Sequence, residues 1–369
     1  MAETPKTFPC PHCGGQLAWN PAVQEMACSY CGATVPVPKE GPFEAEEHDL
    51  LSFLEEHPKA KGYGVELKTL SCKQCGAVVQ LPPSGRRDLS CPFCDTPYVA
   101  EETGSQAAAG VILPESLIPF KVALAECQEK FRDWIGSGWF RPNDLKAMAS
   151  LGKITGLYLP FFTFDALARS AWRAMAGFYY YVTEKVSIVE NGKNVWREQL
   201  VQKVRWEPAS GTRSDFYDDV LVPAVKEERI NLILKVYPYD TKNGLVAYDT
   251  RYLAGFGILN PDMELKFIWQ IAKSNIEADQ ISKCSRDVPG DTQRDLVVKT
   301  TLSGQTFKHL LCPLWAGSFR YKGKVYNFVV NGETGALYGE KPWSWVKITL
   351  AAIIAAAIAV AAYYFFGRQ

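Results

Sequence analysis

Gly177–Trp206 reads GFYYYVTEKVSIVENGKNVWREQLVQKVRW. Two runs rich in aromatic and β-branched residues flank Asn191-Gly192. Such residues fit a pleated, half-buried surface, and Asn-Gly supplies the positive φ that a tight hairpin turn needs. The stretch therefore predicts an antiparallel hairpin. The same character extends back through Gly156–Asp165, GLYLPFFTFD, to Ile154 and forward to about Pro223. Strands return from Leu296, and Lys322-Gly323 and Asn331-Gly332 mark two further turns between Phe319 and Tyr338. Tyr158-Leu-Pro-Phe-Phe and Leu311-Cys-Pro-Leu-Trp each set a proline inside an apolar run ahead of a predicted hairpin, a weak internal echo.

Helical patterns interrupt these strands. Phe120–Ile135 places Val122, Leu124, Cys127, Phe131, Trp134 and Ile135 broadly on one helical side. Pro142-Asn143-Asp144 opens a further helical turn. Asn260 reads as an N-cap with Pro261 at the first helical position. That helix would run to about Lys283 on Met263, Leu265, Ile268, Ile271 and Ile276. Strand-rich and helical stretches arranged in this way predict an α+β domain with mainly antiparallel sheet over residues 111–340.

The cysteines define what precedes it. Eight of the eleven form four C-x-x-C pairs: Cys10/Cys13, Cys28/Cys31, Cys72/Cys75 and Cys91/Cys94. A C-x-x-C knuckle turns two sulfurs to one side, and two knuckles complete a tetrahedron around zinc. Glycine follows the second cysteine at Gly14, Gly32 and Gly76 and suits the knuckle turn. The spacing predicts two closed four-thiolate zinc ribbons over 1–36 and 67–100, each holding one structural ion, with no open position for substrate. His12 is not needed as a ligand. Rubredoxin-like iron is the alternative metal. The N-terminus MAETPKTFPC carries no apolar signal region, which speaks against a secreted disulfide framework. Residues 37–66 read as a linker with a short acidic helix, Phe43–His57, ending before Pro58. Glu101–Gly110 is small and polar, a hinge. Such linkers imply ribbons that fold apart from the main domain.

Ile348–Phe366, ITLAAIIAAAIAVAAYYFF, carries no charge. At ~1.5 Å per residue it is long enough to cross a ~30 Å hydrocarbon layer. Trp343 and Trp345 before it, and Tyr363 and Tyr364 at its end, are interfacial residues. A transmembrane helix is expected over 346–366, with its lipid contact. Lys341 and Lys347 on the near side favour an N-terminal bulk in the cytoplasm, facing the inner membrane. Ala351, Ala355 and Ala359 repeat as small-xxx-small surfaces do, which allows homo-oligomers, although an alanine-rich span holds such repeats by composition alone.

Charge and motif content narrow the function. Lys plus Arg and Asp plus Glu are 40 each, so no polyanionic partner is demanded. The ribbon region is acidic, through Glu40, Glu44, Glu46, Glu47, Asp49, Glu55 and Glu56, and only Arg86-Arg87 approaches a phosphate-binding cluster. Protein contacts fit better than nucleic acid, though a membrane-tethered nucleic-acid binder is the second reading. No Walker loop, G-x-S-x-G or H-E-x-x-H occurs, and His12, His48, His57 and His309 are scattered. Asp165 reads as a strand-end or capping residue. Cys127, Cys284 and Cys312 lie on apolar faces and read as core thiols. No enzyme is expected.

The ribbon pairs, FKVALAECQEKFRDWIGSGWFRP (Phe120–Pro142), GLYLPFFTFD and the C-terminal LCPLWAGSFRYKGKVYNFVVNGETG resemble bacterial membrane-anchored, transcription-factor-IIB-type zinc-ribbon proteins. Such proteins are often labelled primosomal helicases, a label this chain does not support, since it has no helicase nucleotide site. The resemblance implies a role in envelope-stress modules beside phage-shock-protein-A-like and flotillin-like partners, holding a cytoplasmic protein at the membrane.

Overall fold

The structure, a computed structural model, describes residues 8–38, 45–62, 69–71, 78–80, 111–190, 193–225, 231–259, 261 and 263–366. Asn191-Gly192, the Glu101–Gly110 hinge and Asn260 lie outside the described residues. So do all four cysteines of the second expected ribbon, Cys72, Cys75, Cys91 and Cys94.

In chain order, β1 (Leu17–Asn20), β2 (Glu25–Cys28) and β3 (Thr34–Val35) form a small antiparallel sheet. β4 (His48–Asp49) leads into α1 (Leu50–Glu56), where Asp49 Oδ1 accepts from Ser52 N at 2.8 Å. This cap starts α1 later than the acidic stretch suggests; among the described residues of that stretch Leu50 is the first buried apolar one. β5 (Lys61–Gly62) pairs with β8 (Val111–Ile112), and β6 (Thr69–Ser71) with β7 (Val78–Gln80). Then come β9 (Ser116–Leu117), α2 (Leu124–Gly136), α3 (Leu145–Met148), β10 (Ser150–Glu190) and β11 (Lys193–Pro223). After them follow β12 (Val246–Ala247), α4 (Thr250–Leu253), β13 (Gly257–Ile258), α5 (Leu265–Asp287), β14 (Thr292–Tyr321), β15 (Lys324–Asn331), β16 (Leu337–Gly339) and α6 (Trp345–Phe366). The protein is α+β with a mainly antiparallel sheet ordered β11-β10-β14-β15-β16.

β10 spans 41 residues and pairs with β11 on one side and β14 on the other. The two echoed segments meet here: Tyr158 lies opposite Pro313, Leu159 opposite Cys312 and Pro160 opposite Leu311. Around this point the chain repeats one order twice: short strand, helix, long strand, hairpin strand. The hydrogen bonds repeat with it. Ile118 N donates to Leu311 O and Leu259 N to Tyr158 O, both at 2.9 Å. Ala224 N donates to Pro160 O at 3.0 Å and Gly332 N to Pro313 O at 2.9 Å. β9 runs parallel to β14 as β13 does to β10. Each helix packs on the other half's hairpin. In α2, Cys127, Phe131 and Ile135 are buried, and Phe131 meets the Phe319 and Phe328 rings of β14 and β15 at 5.6 and 4.5 Å. In α5, Leu265, Ile268, Ala272 and Ile276 are buried against Phe164, Ala166 and Ala168 of β10 and Val222 of β11. The proline echo is the centre of an internal two-fold.

α5 begins at Leu265 after Glu264, later than Asn260-Pro261 suggests. Leu259 N is used by Tyr158 O, so the chain is still extended there. Beyond α5 the sheet narrows. β14 leaves β10 after the pair Gly177–Thr292, and Phe178–Glu190 pairs on with β11 alone.

The N-terminal cysteine unit does not stand apart. Leu17, Trp19, Met26 and Val37 share a buried cluster with Phe120, Tyr252, Leu253 and Trp315. Trp19 N donates to Ala254 O at 3.0 Å, Trp19 Nε1 to Phe120 O at 3.1 Å, and its ring meets Tyr252 at 4.6 Å. A unit this small cannot bury a tryptophan by itself, so it borrows the larger core.

Candidate metal centre

Two knuckles place the sulfurs. Gly14 N donates to Cys10 O at 2.9 Å and Gly32 N to Cys28 O at 3.0 Å. Gly14 and Gly32 hold φ of 72° and 75°, which an L side chain rarely adopts. The hairpin β1–β2 brings the knuckles together. Cys10 Sγ lies 3.6 Å from Cys31 Sγ, and Cys13 Sγ 3.6 Å from Cys28 Sγ. All four sulfurs fall within 4.8 Å of one another. A disulfide is ~2.05 Å long, whereas metal–sulfur bonds of ~2.3 Å in a tetrahedron set sulfurs ~3.8 Å apart. The separations match a shared metal ion, not disulfides. Gly15 faces the site closely: a Cβ there would lie 3.3 Å from both Cys13 Sγ and Cys28 Sγ. Cys10 and Cys28 are buried, Cys13 and Cys31 exposed.

The thiols also report on charge. Gly15's backbone N–H holds the Cys13 thiolate down, yet the thiols of Cys31 and Cys28 outweigh it and push Cys13 up to about 12. Backbone N–H groups of Cys31 and Tyr30 lower Cys28 to about 7. Four sulfurs this close cannot all ionise without a cation among them, and a soft divalent metal would supply it. Cys10, Cys13, Cys28 and Cys31 can therefore hold one metal ion. His12 is exposed and is not in the group.

The chain matches no family model. It is similar to one bacillar protein over nearly its whole length. That protein, the uncharacterized protein YdjG of Bacillus subtilis (strain 168), is 25% identical over 347 residues, 93% of this chain and 92% of YdjG. No solved structure matches.

The other residues singled out in the sequence are structural. Cys127, Cys284 and Cys312 are fully buried. Burial raises all three thiols, Cys127 to about 12, and keeps them protonated. His309 is buried and stacked on Phe162 at 4.6 Å, with Nδ1 2.9 Å from Ile112 O; burial lowers it to about 4, so it is neutral. His48 pairs with Glu115.

A second acidic group is one that the sequence did not disclose. Asp165, Asp218 and Asp219 bring carboxylate oxygens within 4.8 Å. Lys308, almost buried, and Lys242 offset part of its charge: Lys308 Nζ lies 2.9 Å from Asp219 and 3.4 Å from Glu47, and Lys242 Nζ 2.5 Å from Asp218. Asp165 Oδ1 accepts from Asp219 N at 2.7 Å, and Asp219 has φ 57°. Asp165 thus closes a bulge in mid-strand, and a lysine inside the apolar run around Lys308 was the available signal for its partner.

α6 is 22 residues long, with no buried residue in its spanning window, and is long and apolar enough to span a membrane. Its base is clamped to the body. Lys341 Nζ donates to Trp134 O, and to Ser137 O and Oγ at 3.0 and 2.9 Å, and lies 4.2 Å from the Trp134 ring centroid. Burial, reinforced by Arg141, lowers Lys341 to about 8.

Proposed function

We propose that the protein is a non-enzymatic membrane adaptor, carrying two structural zinc ions, that holds cytoplasmic proteins at the inner membrane. The observation that carries this reading is the placement of two features at opposite ends of β10. The spanning-length helix is tied through Lys341 to Trp134, whose ring lies 6.2 Å from Phe319, and Phe319 pairs with Leu151 at the start of β10, while the β10–β11 hairpin ends at Glu190 and Lys193. That hairpin exposes Tyr179, Tyr181, Trp196 and Leu200, the last two at 69 and 68%. Exposed aromatics of this density suit a protein partner. The near-side lysines support cytoplasmic orientation. The resemblance to membrane-anchored zinc-ribbon proteins supports an envelope-stress setting with a phage-shock-like or flotillin-like partner. The spacing of the second cysteine set, Cys72, Cys75, Cys91 and Cys94, supports the second zinc.

A membrane-tethered nucleic-acid binder is the second reading. Arg169, Arg173 and Lys299 are exposed on one face of the three-stranded region, beside exposed Phe216. Cations interleaved with aromatics on a sheet suit single strands. Filter binding at low and moderate salt separates the readings; the adaptor requires no salt-dependent retention.

Elemental analysis of protein purified without added metal should give two zinc equivalents, and a value near zero would refute the metal assignment. Removing Ile348–Gln369 should leave the partner bound in solution but absent from the membrane. Membrane localisation of the partner that survives this truncation would overturn the adaptor reading.

A further inference from the structure

The loop between α2 and α3 exposes two large aromatics. Trp139 is 82% exposed and Phe140 37%. A tryptophan left so open to water has no role in packing the body. Its position relative to α6 is fixed by hydrogen bonds. Lys347 Nζ donates to Trp139 O at 3.0 Å, and Ser344 N donates to Phe140 O at 2.8 Å. Arg141 donates to Lys341 O at 2.8 Å and Pro342 O at 3.3 Å, and its guanidinium lies 4.1 Å from the Trp343 ring centroid. The loop backbone is thereby tied to residues 341–347, where the spanning-length helix begins at Trp345. Trp343 and Trp345 at the same level are 56 and 73% exposed. Four aromatics and the cations Arg141 and Lys347 thus gather at one height.

We propose that the Gly138–Pro142 loop is a second membrane contact, with Trp139 and Phe140 lying in the lipid headgroup zone beside the start of α6. Indole and phenyl rings favour that zone, and arginine and lysine reach its phosphates. The contact is continuous with the bilayer that α6 enters, and so it rests on the reading of α6 as a spanning helix. Two attachment points would restrain the tilt of the body about a single helix and fix the direction in which the β10–β11 hairpin projects.

The test uses the full chain reconstituted in phosphatidylcholine–phosphatidylglycerol vesicles, with Trp139→4-cyanotryptophan as a selective fluorophore. In vesicles whose acyl chains are brominated close to the glycerol backbone, its emission should fall about twofold relative to unbrominated lipid, with iodide from the water quenching weakly. The same probe as Tyr363→4-cyanotryptophan reports on the helix itself. Quenching by bromolipid at 363 but not at 139 overturns the loop contact and leaves the spanning helix standing. No bromolipid quenching at 363 overturns both. Protection of position 139 from both quenchers means burial between protein copies and also overturns the proposal.

Discussion

Asp165 sits where the registers of both neighbouring strands slip, between Phe164 and Ala166 against β11 and between Asp165 and Leu167 against β14. Its carboxyl accepts the Asp219 N–H in place of the ladder bond that the bulge removes. Burial, with Glu47 beside it, raises Asp165 to about 6, while Thr306 and Lys308 help to hold Glu47 low despite its partial burial. The pair shares one proton, and Glu47 keeps the charge. An unfolded aspartate titrates near ~3.9. The folded state therefore binds this proton more tightly, and the stability it confers is full below about pH 4 and lost as pH rises through about 6. Asp165→Asn keeps an oxygen for Asp219 N and removes the titration. The variant should gain on the wild type by on the order of 1 kcal/mol between pH 4 and 7. Urea midpoints of the detergent-solubilised chain at the two pH values measure it, and identical pH slopes in both proteins would refute the shared proton. The sequence showed Asp165 as a strand-end residue because a carboxylate in mid-strand has no local signature. The bulge, and the lysine 143 positions on in the chain at Lys308, exist only once β14 lies alongside.

At the scale of elements, strands and helices were legible where their periodicity was strong. The hairpin around Asn191-Gly192, the Cys127, Phe131 and Ile135 stripe of α2 and the apolar C-terminal run follow from spacing, whereas Val122 precedes the helix and Leu124 is exposed. What was not legible is continuity: nothing in GLYLPFFTFD or VWREQLVQKVRW says that β10 runs unbroken for 41 residues. Strand length is set by the partners on each side, which are distant in sequence. The first knuckle pair was fully legible as a cysteine cluster, since C-x-x-C turns are local. Its docking was not, because Trp19 looks like any ribbon aromatic until Phe120, Tyr252 and Ala254 surround it. That docking can be measured. Trp19→Ala removes the ring and two anchoring features but none of the four sulfurs. It should cost about 3–5 kcal/mol, as truncating a buried aromatic does, and make the segment preceding Val37 sensitive to limited proteolysis, with metal content unchanged. Loss of the metal at unchanged stability would mean that the tryptophan serves the knuckles and not the interface.

Across the whole molecule, the internal two-fold builds the body and the departure from it builds the arm. β14 and β15 are the counterparts of β10 and β11, but β15 has 8 residues where β11 has 31. Much of the surplus is the hairpin beyond Gly177, which at ~3.3 Å per residue carries Glu190 roughly 40 Å past the last β14 pair. Near its root it is tied to the body by the bonds of Asp291 N to Gly177 O at 2.8 Å and of Tyr179 N to Asp291 Oδ2 at 2.7 Å. A two-stranded ribbon adds little stability by itself, so its length and its exposed Tyr181, Trp196 and Leu200 fit the proposed role in partner binding. Replacing Tyr181–Gln202 by Asn-Gly would join Tyr180 directly to Lys203, which already face each other across the ladder, through the turn type that two-residue hairpins prefer. The shortened protein should keep its metal content, its membrane insertion and its thermal midpoint to within about 3 °C, because no core residue is touched. On the adaptor proposal, it should also fail to retain, in a detergent pull-down, the partner that the full-length protein is proposed to hold. A fall in thermal midpoint of 10 °C or so would show that the arm stabilises the body, and undiminished retention would move the recruiting surface to the ribbons.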